Sequence, residues 1–469
     1  MRLPSLAPLL LAAAWVLEPG TAGAGEPAHT LFGRPVTPRE ELSPQEIEAR
    51  RAAFRAHVEE NGWVVAGDVI AAPERFSATP PPAFPASGTW EDPPHRHTIF
   101  LNFFGGDMTS GTNASKMQSA CITGKVKYPG YAGSEMKALA VVQTFTSKLE
   151  PFGMRVAYDE VPPPELPYSM VMMGGKPQDI GMDPGTLGVS CSSDCGDQWW
   201  RDTTLAFADA TNSNNSLAYT ALQEASHAFG LDHIEGTNHI MYPYDSPGDH
   251  VWADGCTAYN PATGPIGCTY VHDIFCGEDG GAQDDTAELL AFFGANSPDV
   301  VPPTVTITAP EDGLELAEGG SVDIYAEVSD DYEGVGWKVS FYKDEVLIDE
   351  RPSYMKELSW NLAKLPVGVY RVRVQAVDHD RNIGADEVTI YVGTAPPMST
   401  STDTDAGTDA GTETGGETSG GGETSGGSAT TGGEDDDKGC ACRSSGRPSQ
   451  ALALGLLILL AAGRRRARA

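Results

Sequence analysis

The stretch Ala221-Leu222-Gln223-Glu224-Ala225-Ser226-His227-Ala228-Phe229-Gly230-Leu231-Asp232-His233 decides how the whole chain is read. On a helix, Gln223 and His227 stand one turn apart on the same face, with Glu224 beside them. Gly230 has no Cβ, so it suits the left-handed conformation that ends a helix and swings His233 back toward the same point. Side chains converging in this way leave an open position for water at a metal, where Glu224 can take its proton. Eight residues after His233 comes Met241, inside Asn238-His239-Ile240-Met241-Tyr242-Pro243-Tyr244.

As ligand spacing, the stretch is H-E-x-x-H-x-x-G-x-x-H with glutamine at the first histidine. It resembles the metzincin clan of zinc peptidases (matrixins, astacins and serralysins), strongly over roughly 25 residues and more weakly over the surrounding domain. In that clan a methionine turn lies beneath the metal, and Ile240-Met241 fits it. Astacins and serralysins carry a tyrosine just after that methionine, able to steady the tetrahedral intermediate, and Tyr244 is assigned to that place. The resemblance implies an α+β catalytic domain, a mixed sheet with an active-site helix, acting on protein or peptide substrates. It implies zinc held by Gln223, His227 and His233, with Glu224 as general base. A strand before the active helix would bind extended substrate by strand addition; Tyr168 to Met173 and Leu205 to Ala208 are the two candidates. A neutral amide is a poorer zinc ligand than imidazole, so three outcomes follow. Gln223 ligates weakly with help from Tyr244, or His239, His250 or His272 substitutes for it. In the third, the domain is a pseudo-protease that only binds peptides or adheres at the surface.

The chain has 469 residues and a formal net charge of -34. Such length allows about two or three domains with real cores. The acidity argues against nucleic acid or an anionic membrane surface as partner and fits solubility outside the cell. Residues 1–24 read as a secretory signal: Met1-Arg2, an apolar run from Leu6 to Leu17, and the small residues Ala22-Gly23-Ala24. The cysteines suit an exported protein. Cys121, Cys191, Cys195, Cys256, Cys268 and Cys276 fall in one domain, and Cys440 and Cys442 lie far beyond it. Sequence proximity suggests Cys191 with Cys195 and Cys256 with Cys268, leaving Cys121 for Cys276, among fifteen connectivities for six cysteines.

Residues 25–95 form a pro-segment or a plain N-terminal extension. Within it Ser43-Pro44-Gln45-Glu46 opens a charged helix through a capping box, and a Pro-rich linker follows from Thr79 to Pro94. Residues 96–299 form the catalytic domain. It contains a central strand at Thr98 to Phe103, a helix from Ser134 to Glu150, strands at Met154 to Val161 and Tyr168 to Met173, the active helix from Ser216 to Gly230, and a helix from Asp284 to Phe293. Residues 302–394 alternate apolar and polar in runs at Val305 to Thr308, Val322 to Val328, Lys338 to Tyr342, Tyr370 to Val377 and Val388 to Val392 between turn residues, as expected of an all-β immunoglobulin-like sandwich without its inter-sheet disulfide. Asp330-Asp331 and Asp378-His379-Asp380 could gather calcium at one end, although solvated loop carboxylates are the more ordinary expectation. Residues 395–438 read as a disordered acidic stalk. Residues 439–469 combine a cysteine motif, a short apolar run and an arginine cluster. They resemble the myxobacterial C-terminal sorting tag or, more simply, a tail anchor. The expectation is a protein at the cell surface or outer envelope, or released to the extracellular space, touching membrane only through this tag.

Overall fold

The computed structural model describes residues 29–71, 94–193, 195–196, 201–265, 267–277, 281–332, 334–353 and 357–395. The expected signal peptide, the stalk beyond residue 395, the sorting tag and nearly all of the Pro-rich linker lie outside the described residues. Among the described residues no helix is long and apolar enough to cross a membrane.

Helix α1 (Pro44–Glu60) starts as expected: the Ser43 hydroxyl accepts from the Glu46 N–H, and the Glu46 carboxylate accepts from the Ser43 N–H. This helix is amphipathic only weakly, and Phe54 is its one buried side chain. Polar contacts hold the segment to the domain, with Arg39 bonded to Asp209 at 2.7 Å and to Asp179 at 3.3 Å. Strands β1 (Val64–Ala66) and β2 (Val69–Ala71) then form a hairpin. Its register pairs Ala66 with Val69, so Gly67-Asp68 is the two-residue turn. Gly67 adopts φ +68° there, which a glycine takes without strain.

The main sheet contains β3 (His97–Asn102), β4 (Met154–Ala157), β5 (Ser169–Met173), β6 (Gly188–Val189) and β7 (Thr203–Ala206), in the order β6-β7-β5-β3-β4. All neighbours are parallel except β6, which runs antiparallel to β7 at the edge. Strands β3, β5 and β7 are buried along their whole length, and β3 and β5 accordingly carry the unbroken apolar runs Ile99 to Leu101 and Met170 to Met173. Helix α2 (Glu135–Leu149) is capped by Ser134 and buries Ala138, Val141, Val142, Phe145 and Leu149. Helix α3 (Asn214–Phe229) packs against α2 and the sheet and is buried from Ser216 to Phe229. The sheet order corrects one expectation. Both candidate substrate strands are interior; the edges are β4 and the two-residue strand β6 (Gly188–Val189), beside which β2 lies at Ser190.

Beyond α3 the chain is mostly irregular, interrupted by α4 (Thr269–Cys276) and α5 (Asp285–Phe293). One disulfide lies within this part, one joins it to the chain before α3 and a third lies wholly before α3; together they correct the pairing inferred from proximity. Cys121 bonds Cys191, Cys195 bonds Cys268, and Cys256 bonds Cys276. The Cys195–Cys268 bridge joins the sheet side to the irregular side across 73 residues. Replacing that pair by serines should cost about 2–5 kcal/mol, since a long loop regains its freedom in the unfolded chain. The check is the denaturation midpoint of the double variant, alongside alkylation of the unreduced wild type, which should label none of these six cysteines.

Residues 304–392 form a sandwich. One sheet has β8 (Thr304–Ala309), β10 (Val322–Ser329) and β13 (Glu357–Leu362); the other has β9 (Leu314–Leu316), β11 (Gly336–Lys343), β12 (Val346–Ser353), β14 (Gly368–Val377) and β15 (Ile383–Val392). Trp337, Val339, Phe341, Tyr370, Val372, Val374 and Ile390 fill its core, with Phe341 and Tyr370 stacked at 5.3 Å. Three strands (β9, β12 and β13) were not expected from sequence. The sandwich docks on the first domain through polar contacts. Thr98 bonds His379 at 2.8 Å, Arg155 binds Asp380 in a fork at 2.6 and 2.8 Å, and the Arg96 guanidinium lies 3.9 Å over the Tyr332 ring.

Candidate metal centre and its groove

Helix α3 carries Gln223, Glu224 and His227 into the interior because its other faces are covered by α2 and the sheet. The helix ends at Gly230 with φ +106°, and the Leu231 N–H returns to the Ser226 carbonyl at 3.0 Å. This left-handed stop turns the chain so that His233 comes back beside His227. His227 Nδ1 donates to the Leu231 carbonyl at 2.7 Å. A carbonyl can only accept, so this bond fixes the tautomer and leaves Nε2 with a lone pair. That Nε2 lies 3.1 Å from His233 Nε2.

The third group at this point is Asp68, on the tip of the β1–β2 hairpin. Its Oδ1 lies 2.9 Å from His233 Nε2 and 3.8 Å from His227 Nε2. The tip fits closely, since a Cβ on Gly67 would come 3.3 Å from His233 Cε1. Beyond it, the Ile70 N–H donates to the Ser190 carbonyl at 2.8 Å, just past the edge strand β6. Two imidazole nitrogens and a carboxylate oxygen are a donor set that zinc takes, and bonds of about 2.0–2.1 Å put tetrahedral ligands about 3.3 Å apart. The observed separations bracket that value. Asp68 was missed in the sequence reading. Its signal was the Gly67-Asp68 pair between apolar runs, a hairpin turn that says nothing of its destination.

Glu224 is fully buried beside this group, and its oxygens meet no N–H or O–H donor among the described residues. Burial pushes its carboxyl well above the usual range, and the charge of Asp68 pushes it further. The His227 imidazole is pushed down to about 4, first by burial and then by His233. Asp68 is held below its ordinary value: burial opposes this, but the His233 hydrogen bond and both imidazoles outweigh it. A buried carboxylate without donors is costly unless a cation or proton accompanies it. Gly188 on the edge strand makes room for it, since a Cβ there would fall 2.6 Å from Glu224 Cγ and from Thr220 Cγ2. Gly188→Ala should therefore destabilise the fold by about 1–3 kcal/mol through overpacking. Thermal unfolding of the variant measures this, and a change within error would show that the strand yields freely.

Gln223 stands on the same helix face as His227, one turn earlier, but its amide nitrogen is spent on the Ile240 carbonyl at 3.2 Å and the Tyr242 carbonyl at 2.8 Å. It thus clamps the turn that holds the fully buried Met241. Tyr244 is 54% exposed and edges onto Tyr242 at 5.6 Å. Both tyrosines line a groove of about 620 Å³ with Leu187, Tyr219, Gln223 and His250, and the groove reaches Asp68. The three histidines considered as replacements are engaged elsewhere. His239 bonds the Glu235 carbonyl, His250 stacks on Tyr219, and His272 sits between Glu288 and Asp232. None of them belongs to the Asp68–His227–His233 group.

Comparison with known proteins bears on the second half of the chain. Residues 303–374 match the family model described as a bacterial Ig domain. The chain carries a bacterial Ig-like domain. Among solved structures, the fibronectin(III)-like modules of Clostridium thermocellum CbhA are 28% identical over 20% of this chain and 48% of theirs, with a TM-score of 0.17. This chain thus spans about half of that structure. The superoxide reductase (neelaredoxin) of Ignicoccus hospitalis is 16% identical over 19% of this chain and 79% of its own, at TM-score 0.15. The CARDB domain of PF1109 from Pyrococcus furiosus is 18% identical over 19% and 92%, also at 0.15. Likeness this partial carries no argument about function. No curated protein matches the chain.

Proposed function

We propose that residues 96–299 form a zinc-dependent endopeptidase domain of metzincin type, exported and held latent by its N-terminal segment. The observation that supports it best is the meeting of Asp68, His227 and His233 beside a buried Glu224 that has no donor. His227 and His233 would hold the metal with Asp68 as third ligand, in the place where a metzincin has the histidine replaced here by Gln223. Bound zinc would polarise the scissile carbonyl and lower the pKa of a water. Glu224 takes the proton from that water and passes it to the leaving amine. Tyr244, at the groove rim, would donate to the developing oxyanion. An extended peptide would add to the edge at Gly188 to Ser190, where β2 now lies, so the hairpin must leave before a substrate enters. The Pro-rich linker from Thr79 to Pro94 is the natural place to cut it free. Three disulfides in this domain fit an oxidising, exported setting.

One observation favours the second reading, a peptide-binding module without catalysis. The Gln223 amide is occupied by the turn below it, so departure of Asp68 leaves two imidazoles. The first experiment is metal analysis of the exported chain. One zinc per chain is expected, with affinity falling at least about 10-fold in Asp68→Ala and further in His233→Ala. Zinc content near zero in the wild type, or affinity unmoved by Asp68→Ala, would count against the proposal.

A further inference from the structure

We infer that Asp299, Asp330 and Asp378 form a calcium site at the junction of the two domains. Asp299 lies in the connector after α5, Asp330 follows β10, and Asp378 follows β14, so three separate segments supply the carboxylates. One carboxylate oxygen from each falls within 4.8 Å of the other two. Calcium binds oxygen at about 2.3–2.6 Å, so two of its ligands can be at most about 5 Å apart. The cluster meets that limit.

Clustered acids alone say little; the partners of each oxygen say more. Asp299 is only 6% exposed. Its Oδ1 accepts from the Val301 N–H at 3.0 Å, while its Oδ2 is fully buried and meets no partner among the described residues. Asp330 Oδ1 is buried and without a partner in the same way. Asp378 is fixed by Asn382, whose backbone and side-chain N–H groups each donate to it at 2.8 Å. The same Asn382 amide donates to the Asp299 carbonyl at 3.0 Å, so the cluster is held in register. Cations nearby are committed elsewhere. Arg155 is taken by Asp380, and Arg96 by the carbonyls of Ala295 and Ser297. Among the described residues no lysine or arginine pairs with any of the three acids. Three carboxylates gathered without a cation repel one another, and burial of an unpartnered oxygen adds to that cost. Hard oxygen donors with no nitrogen or sulfur favour calcium over zinc, and their irregular arrangement favours it over magnesium. The bound ion would join the connector to two loops at one end of the sandwich, beside the Thr98–His379 and Arg155–Asp380 contacts, and so fix how the Ig-like domain sits.

The test uses the full chain stripped with EGTA and titrated with calcium, followed by thermal unfolding and by calorimetry. One calcium per chain and a rise in the unfolding midpoint are expected, and magnesium should bind at least 10-fold more weakly. Asp299→Asn and Asp330→Asn should each weaken calcium at least 10-fold. In EGTA the same variants should be no less stable than wild type, because neutral amides relieve the repulsion; with calcium the order should reverse. Carboxylates kept only as hydrogen-bond acceptors would leave both variants weaker in both conditions, and that outcome overturns the proposal. Absence of calcium binding, or equal binding by wild type and both variants, overturns it too. His233→Ala should keep the whole calcium response, which separates this site from the one on α3.

Discussion

Glu224→Gln should keep its zinc and its fold and lose at least about 100- to 10,000-fold in peptide cleavage. The expectation rests on separating the proton carrier from the ligands. Glu224 is not a member of the Asp68–His227–His233 group, and a glutamine matches its shape in a space bounded by Gly188 and Thr220. Burial and the Asp68 charge push its carboxyl well above the usual carboxylate range. Removing the hairpin takes that negative charge away, and a bound cation favours the ionised form that a base requires. On the proposed reading, the event that opens the cleft also favours the ionised form of Glu224. The assay compares intact chain with chain cut between Ala71 and Pro94, on a denatured protein substrate, with and without chelator. Cleavage is expected only from the cut wild type. Equal cleavage by the cut variant, with contaminants excluded by chelation, would leave Glu224 without a catalytic role. Glutamine should also raise the stability of the intact chain, because a buried acid with no donor is replaced by a neutral amide.

How far the sequence could be read depended on whether the controlling interactions were local. The end of α3 was legible because Gly230, Leu231 and His233 act within one turn and a half, and a left-handed glycine leaves few paths for the chain. Ser43 and Glu46 were legible for the same reason, their bonds spanning three residues. The disulfides were not. Proximity along the chain favoured Cys191 with Cys195, yet the fold sends Cys191 to Cys121 and Cys195 to Cys268. The proposed substrate edge was hidden differently: Gly188–Val189 is too short to show a period, whereas the apolar runs of the interior strands β3 and β5 announced themselves. In the sandwich, β12 was missed because Asp349, Glu350 and Arg351 interrupt its apolar positions, as an exposed edge permits. Asp68 was out of reach in principle. Local pattern could give the hairpin, but only the packed fold carries its tip to two histidines more than 150 residues away.

Gln223→His should raise zinc affinity sharply in the cut chain and only weakly in the intact one. In the intact chain Asp68 already supplies the third donor, so an added imidazole competes with a carboxylate that is in place. Cutting the linker removes Asp68 and leaves His227, His233 and a glutamine whose amide is bound to Ile240 and Tyr242. A histidine there stands one helical turn before His227, on the same face. It can direct one nitrogen to the metal and donate from the other to the Ile240 or Tyr242 carbonyl, keeping part of the clamp. Imidazole is the better donor for zinc, so a gain of about 10- to 100-fold is expected in the cut chain. Competition against a chromogenic chelator measures it for all four proteins, and protease assays run alongside. A gain in the cut chain with activity that the cut wild type lacks would mark the natural protein as a binding module descended from an enzyme. A gain with unchanged activity would mean that glutamine already suffices for the chemistry. If affinity rises equally in cut and intact chains, Asp68 is not the third ligand, and the latch would have to be explained by strand pairing at Ser190 alone. If it rises in neither, position 223 does not face the metal.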